Sequence, residues 1–407
     1  MSFEFIENGT PTSVPGFLAA GVTAGFKRSG APDFAMVFSQ KPAAFAGVFT
    51  SCTFAAAPVQ LCRKRVLEND TLQAVIINSG NANACTGETG LAAAKKSCEI
   101  AAAALGIAPE TVAVASTGRI GVQMDMSLIE KGVALAVPAL SADGGSAAAR
   151  AIMTTDTVPK AAAVKVDLGG KVITIGGMSK GAGMIDPKLT VPHATMICVL
   201  ATDAKISNAR LQKILAVNAE DSFNRITVDG DMSTNDTVLV LANGESGVEI
   251  APESAEEKEF AAALLAVMQN LARRMVVDGE GATKFVTVKV CHARSRNDAK
   301  LAAEAVGNSL LCKTAWFGND PNWGRVVAAL GYSGAQFDPG KCDVYFGDKI
   351  VVRAGGDSGV PESELLDVVK KSEFVITCDF NDGDEEYWVW SSDISYEYVK
   401  INADYHT

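Results

Sequence analysis

The chain has 407 residues, 48% of them hydrophobic, and its 47 acidic side chains outnumber 36 basic ones to give a net charge of −11. That length suits two structural units, or one large α/β unit with a sizeable core. The acidic balance argues against an extended phosphate-binding face, so no nucleic-acid partner is expected. In chain order, residues 1 to about 75 alternate short apolar stretches such as Ala43 to Thr50 with Gly and Pro breaks, which reads as strands and turns. An Asn/Gly-rich turn is expected at 78 to 87. A helix follows from Leu91 to Leu105, ending at Gly106. The strand Val112 to Ala115 runs into Ser116-Thr117-Gly118, and helices follow at Met126 to Val137 and Ala147 to Thr154. Gly169-Gly170 between two β-branched runs predicts a hairpin of 164–167 with 172–176. The later elements are helix 208–220, strand 237–242, helix 256–274, strand 285–291, helices 298–313 and 324–329, strand 343–347, helix 362–371 and strand 373–379. Interleaved helices and strands place the chain in the α/β or mixed α+β class.

Nine cysteines are scattered without a Cys-x-x-Cys pair, as expected of reduced core residues in a cytosolic protein. His193, His292 and His406 are the only histidines, none at the usual ligand spacing from another His or Cys, so no metal is expected. No Gly-x-Gly-x-x-Gly or Walker sequence is present, and no cofactor is expected. Asp229, Asp231 and Asp236 look superficially like a calcium loop. The twelfth position, however, is Val240 and not the required acid. The N-terminus carries acids where a secretory signal needs bases, and the apolar run Phe260 to Met268 is short of the roughly 20 residues of a membrane span. A cytoplasmic location without membrane partners is expected.

The stretch from Gly176 to Leu200 organises the rest. A Gly-rich, Pro-punctuated loop cannot continue as helix or central strand, yet it leads into Thr195-Met-Ile-Cys-Val-Leu, which suits a buried strand. On local pattern alone Thr195 simply begins a strand. However, Lys180-Gly-Ala-Gly-Met-Ile followed by Ala194-Thr195 resembles the self-cleaving segment of the ornithine acetyltransferases, the glutamate N-acetyltransferase family of arginine biosynthesis. Further matches in the family's order are Asn78 to Gly87, Ser116 to Gly118, Met153 to Lys160, Asp278 to Lys284, Gly318 to Arg325 and Asn402 to Thr407. In this chain Asp186 to His193 makes the loop before Thr195 longer than in the family's common form.

The resemblance implies an ornithine acetyltransferase-like fold and scission between Ala194 and Thr195, giving chains 1–194 and 195–407 that assemble as a heterotetramer of two each. Thr195 is then the nucleophile, and Thr117 and Gly118 form the oxyanion hole. Thr154, Lys180, Thr195, Glu280, Asn402 and Thr407 contact the substrate. Elementary chemistry is consistent with this: the free α-amine of an N-terminal Thr titrates near pH 7.7–8.0 and supplies its own base. Lys180 can pair with a carboxylate, Glu280 with an ammonium, and Gly118 lets the backbone approach closely. Asp156 and Lys160 are read as holding their loop together, and 318–325 as a turn. The implied reaction carries the acetyl group of N2-acetylornithine to glutamate through acetyl-Thr195. Acetyl-CoA remains open as a second donor. Two rivals stay open: an N-terminal-nucleophile amidase or aminopeptidase that passes the acyl group to water, and a non-catalytic amino-acid-binding protein.

Overall fold

A computed structural model of the chain describes residues 3–188 and 196–404. Its architecture is mixed α/β, with two sheets among the described residues. The larger, nine-stranded sheet runs in the order Phe3–Phe5, Lys160–Asp167, Val172–Lys180, Ile197–Thr202, Thr237–Ala242, Phe34–Phe49, Leu72–Asn81 and Val112–Arg119, and Phe17–Val22 also pairs with Phe34–Phe49. The long strand Phe34–Phe49 spans two partnerships. Its second half pairs with Thr237–Ala242, and its first half with Phe17–Val22 and Leu72–Asn81. The seven-stranded sheet is ordered Gly356–Asp357, Lys349–Arg353, Asp343–Phe346, Glu373–Asp379, Phe285–Ala293, Glu385–Ser392 and Ile226–Thr227.

Apolar side chains decide which faces are covered. Helix Ala255–Val277 lays Phe260, Leu264, Val267, Met268, Leu271 and Met275 on one face of the large sheet, against Val164, Ile173 and Ile175. Its length and apolar content match those of a membrane span, but that stripe is core and the opposite face carries Lys258, Glu259, Arg273 and Arg274. Helices Ala57–Glu68 and Gly145–Ala151 help cover the other face, around Val59, Ala148, Val199 and Leu239.

The expected hairpin forms between Lys160–Asp167 and Val172–Lys180, with Gly169 and Gly170 at φ 68° and 89°, the left-handed pair that a tight hairpin turn requires. Val172–Lys180 then pairs antiparallel with Ile197–Thr202, Lys180 standing opposite Ile197. The boundary expected near 194 thus lies between two neighbouring strands of one sheet.

Several expectations are corrected. The helix expected over 298–313 is two, Arg296–Asn308 and Leu310–Phe317, because Ser309 leaves helical geometry and its hydroxyl caps the Cys312 N–H. The turn expected from residue 78 begins later: Asn78–Asn81 still pair with Ser116–Arg119, and Ser116 donates to the Asn78 side-chain oxygen at 2.6 Å. Helices Ala57–Glu68 and Tyr396–Asp404 and strands Lys349–Arg353 and Glu385–Ser392 were not expected.

Leu264 is fully buried whereas Val217 is 64% exposed. Leu264→Ala is expected to lower unfolding free energy by about 2–5 kcal/mol and Val217→Ala to change it by less than about 0.5 kcal/mol, as read from urea denaturation midpoints.

Candidate active site

Strand ends build the cleft. Thr117 and Gly118 lie at the end of Val112–Arg119, Lys180 at the end of Val172–Lys180, Ile197 at the start of its strand and Asp236 just before Thr237–Ala242. Thr154, from the loop after helix Gly145–Ala151, completes this side, while Glu280 and Asn402 close the cleft from the side of the smaller sheet. The six described residues singled out from the sequence therefore line one cleft: Thr117, Gly118, Thr154, Lys180, Glu280 and Asn402. Ala194, Thr195 and Thr407 lie outside the described residues. Met196, which follows Thr195 in sequence, lines the same cleft.

Gly118 adopts φ 128°, and a Cβ there would collide with the backbone of Gly80 and Asn81 on the adjacent strand. Only glycine fits, and its amide stands at a β-bulge in the pairing of these two strands. The Lys180 ammonium donates to Thr117 Oγ1 at 3.3 Å. That bond uses a lone pair on the hydroxyl oxygen, so the Thr117 proton stays available for an acceptor in the cleft. A side-chain hydroxyl and a neighbouring glycine amide make a suitable donor pair for a developing oxyanion.

Lys180 is buried, and burial lowers its pKa, opposed by the carboxylates of Asp156, Asp236 and Glu280, while Lys160 adds to the lowering. Glu280 is held at two points: its N–H donates to the Ala182 carbonyl at 2.8 Å, and its Oε2 accepts from Asn402 Nδ2 at 2.8 Å. Gly183 leaves room for that carboxylate, since a side chain there would overlap it. The cleft thus presents both an ammonium and a carboxylate, the charges that an amino-acid substrate pairs with.

Beneath the cleft Lys160 sits fully buried between two carboxylates, 2.7 Å from Asp156 Oδ1 and 2.5 Å from Asp278 Oδ2. Asp156 also accepts from the Gly181 N–H at 2.7 Å and the Thr154 N–H at 3.0 Å, and Asp278 accepts from the Thr157 backbone and hydroxyl. Burial alone would raise Asp156, but the ammonium groups of Lys180 and Lys160 and these hydrogen bonds outweigh it and hold the carboxyl at about 2. The sequence suggested that Asp156 and Lys160 brace their loop; Asp278, from the distant end of helix Ala255–Val277, is the partner it did not reveal.

Sequence reasoning missed other lining residues. Asn235 donates to the carbonyls of Ala82 and Ser116, and Asp236, set aside with a failed calcium pattern, is a buried wall of the cleft. The first acid of that pattern, Asp229, accepts from the Met184 and Ile185 amides at 2.6 and 2.8 Å and from Tyr398, tying loop 183–185 to the C-terminal helix. The segment 318–325 lies outside the cleft: Asn322 caps helix Trp323–Tyr332, and Arg325 donates to the Leu311 carbonyl at 2.7 Å. Among the described residues one grouping, Cys291, His292 and Asp379, has its possible ligand atoms within 4.8 Å of one another. It is distant in the fold from the cleft, His292 Nδ1 is already engaged by Asp379 at 2.8 Å, and burial pushes the Cys291 thiol up to about 11.

The Lys160 cluster gives a pH prediction. Asp156 sits at about 2 against an unfolded carboxyl near 3.9. Its depressed value therefore contributes stability that is complete above roughly pH 4 and is lost as the pH falls toward 2. Lys160→Met leaves two buried carboxylates without their cation and is expected to cost about 3–5 kcal/mol at pH 7. That loss should shrink below pH 4 in thermal melts, and a penalty independent of pH would contradict the pairing.

The ArgJ family model matches residues 18–407. The chain is 50% identical over 402 residues to the arginine biosynthesis bifunctional protein ArgJ of Symbiobacterium thermophilum, covering 98% of this chain and 99% of that one. It is 46% identical over 404 residues to the protein of the same name from Geobacter sulfurreducens, covering 97% and 100%. Among solved structures it is similar to the ornithine acetyltransferase of Mycobacterium tuberculosis complexed with ornithine, at 43% identity and a TM-score of 0.43 over 46% of this chain and 100% of that one. With a family match over nearly its whole length and relatives sharing up to half of its residues, the chain belongs to the ArgJ family of arginine-biosynthesis acyltransferases.

Proposed function

We propose that the protein moves the acetyl group of N2-acetylornithine to glutamate through an acetyl ester on Thr195, after the chain cuts itself between Ala194 and Thr195. One observation carries this reading: an oxyanion-type donor pair and two opposite charges line the cleft that also holds Met196, the residue bonded to Thr195. In the precursor the Thr195 nitrogen is an amide and cannot act as a base, so scission proceeds by attack of Oγ on the Ala194 carbonyl, and water opens the resulting ester. The freed α-amine, with a reference pKa near 7.7–8.0, then takes the Oγ proton during acetyl transfer.

When Oγ attacks the acetyl carbon, negative charge develops on the carbonyl oxygen. Thr117 and Gly118 are the donors for that charge, and Lys180 sets the direction of the Thr117 hydroxyl. Collapse expels ornithine, and glutamate enters to take the acetyl group by the reverse steps. Lys180 supports the substrate carboxylate, Glu280 its ammonium, and Thr154, Asn402 and Thr407 complete the pocket. On this reading chains 1–194 and 195–407 remain associated, two of each. Their contact is extensive, since strands from both lie side by side in the large sheet.

Intact mass of freshly purified protein is expected to show two chains meeting at 194/195, and an added acetyl group on the second after exposure to N2-acetylornithine. Thr195→Ala should remain a single chain and lose transfer by more than about 10³-fold. A Thr195→Ala protein that still separates and transfers would overturn the proposal. Acetate release that needs no glutamate would indicate an amidase instead. Glutamate acetylation by acetyl-CoA in the same assay would show a second donor. Lys180→Met should lower kcat as well as raise KM, because Lys180 also orients an oxyanion donor.

A further inference from the structure

We propose that Cys291, His292 and Asp379 form a binding site for a thiophilic divalent cation of the Zn2+ class, with one coordination position left to water. The site belongs to the smaller sheet, and the inference is independent of the reading of Thr195 as nucleophile.

Sheet geometry brings the three together. Cys291 on Phe285–Ala293 is in register with Asp379 on the parallel strand Glu373–Asp379, so thiol and carboxylate share a face. His292 comes next and on a regular strand would point to the opposite face. The pairing with Glu385–Ser392 slips between Val290 and Ala293, however, and His292 takes φ 50°. That bulge re-aims the imidazole. Its Nδ1 lies 2.8 and 2.9 Å from the two oxygens of Asp379, and the Cys291 thiol bonds the same carboxylate. The three possible ligand atoms are all within 4.8 Å of one another. Ligand atoms held by one Zn2+ at about 2.0–2.3 Å stand roughly 3.3–3.6 Å apart in a tetrahedron, so small side-chain rotations complete the set.

A second observation points to a cation. Asp343 stands directly opposite Asp379 on the antiparallel neighbour Asp343–Phe346, and like charges facing each other across strands repel. Neither carboxylate has a Lys or Arg ion-pair partner among the described residues, since Lys341 and Arg294 pair with Asp382 instead. A bound divalent cation offsets that repulsion. The backbone around the ligands is already fixed. The Asn381 N–H donates to Asp379 Oδ1 at 3.0 Å, and the Phe380 and Asp382 amides donate to the Cys291 and His292 carbonyls at 3.0 and 2.9 Å. Such outer contacts orient ligands before an ion arrives. The His292 side chain is 56% exposed, so the open position faces solvent.

Ligand chemistry selects the ion. A sulfur, an imidazole nitrogen and a single carboxylate suit Zn2+ or Co2+, whereas Mg2+ and Ca2+ take shells of oxygen. Three protein ligands leave the fourth tetrahedral position to water. On binding, the metal–sulfur bond forms as the thiol releases its proton to solvent, and the neutral imidazole and the carboxylate displace water from the ion. No group changes oxidation state.

Titration of the reduced, chelator-treated protein with Co2+ tests this, because a thiolate ligand gives cobalt a near-ultraviolet charge-transfer band. One Co2+ per chain is expected to bind with that band, Zn2+ should displace it, and excess Mg2+ should not. Cys291→Ser should abolish the band, and His292→Ala should weaken affinity by at least about tenfold. Cys85→Ser, which removes an exposed cysteine outside the grouping, should change neither. Absence of the band from the parent, its survival in Cys291→Ser, its loss in Cys85→Ser, parental affinity in His292→Ala, or displacement by Mg2+ overturns the inference. If the variants do not fold, X-ray absorption of the Zn2+-loaded parent decides the question. A sulfur at about 2.3 Å together with imidazole scattering is expected, and a shell of oxygen and nitrogen alone overturns the inference.

Discussion

Lys160 places an ammonium where no water reaches it, and two carboxylates from distant parts of the chain meet it there. Desolvating three charges is expensive, so this cluster is better understood as fixing an arrangement than as adding net stability. Its hydrogen bonds show which arrangement. Asp156 holds the amides of Thr154 and Gly181, the latter directly following Lys180, while Asp278 stands two residues before Glu280 and holds Thr157. Three candidate substrate contacts are thus referred to one buried cation. A loop, a strand end and a helix end that could otherwise move independently are held in register.

The same logic explains why the cleft lies where strands end and not across a sheet face. Within a strand both backbone groups are committed to neighbours, whereas at the ends of Val112–Arg119 and Val172–Lys180 the ladder stops and amides become available. Gly118 at a bulge and Gly181 at φ 152° mark those exits. The smaller sheet closes the other side through Gly281–Lys284, where Asp393 receives the Thr283 and Lys284 amides just before strand Phe285–Ala293 begins.

Much of the secondary structure was legible because its cues are local. Helix Asn208–Glu220 and strand Thr237–Ala242 fall at the expected residues, and Gly106 and Gly169-Gly170 stop or turn the chain as their φ freedom allows. Helix Ala57–Glu68 escaped because Pro58 hid its start and Arg63, Lys64, Arg65 and Glu68 diluted its apolar stripe. Strand Glu385–Ser392 opens with two acids and needs Phe285–Ala293 beside it to be a strand at all. For the site, Thr117, Gly118, Thr154, Lys180, Glu280 and Asn402 were legible only through the resemblance of their motifs; no spacing rule joins residues up to 285 positions apart. Asp278 and Asp236 were illegible for the same reason, since a carboxylate acquires its meaning from groups that only the sheet register brings near.

Charge placement links these levels. Around the cleft and its floor, Lys160 and Lys180 stand among Asp156, Asp278, Asp236 and Glu280, yet the acids are not equivalent. Asp156 and Asp278 are consumed by Lys160, and Glu280 is steadied by Asn402, so its carboxylate lines the cleft while remaining in place. Asp236 keeps a buried oxygen, Oδ2, without a hydrogen-bond partner among the described residues. Charges already paired set geometry, and the pairs around Lys160 leave Lys180 and Glu280 lining the cleft.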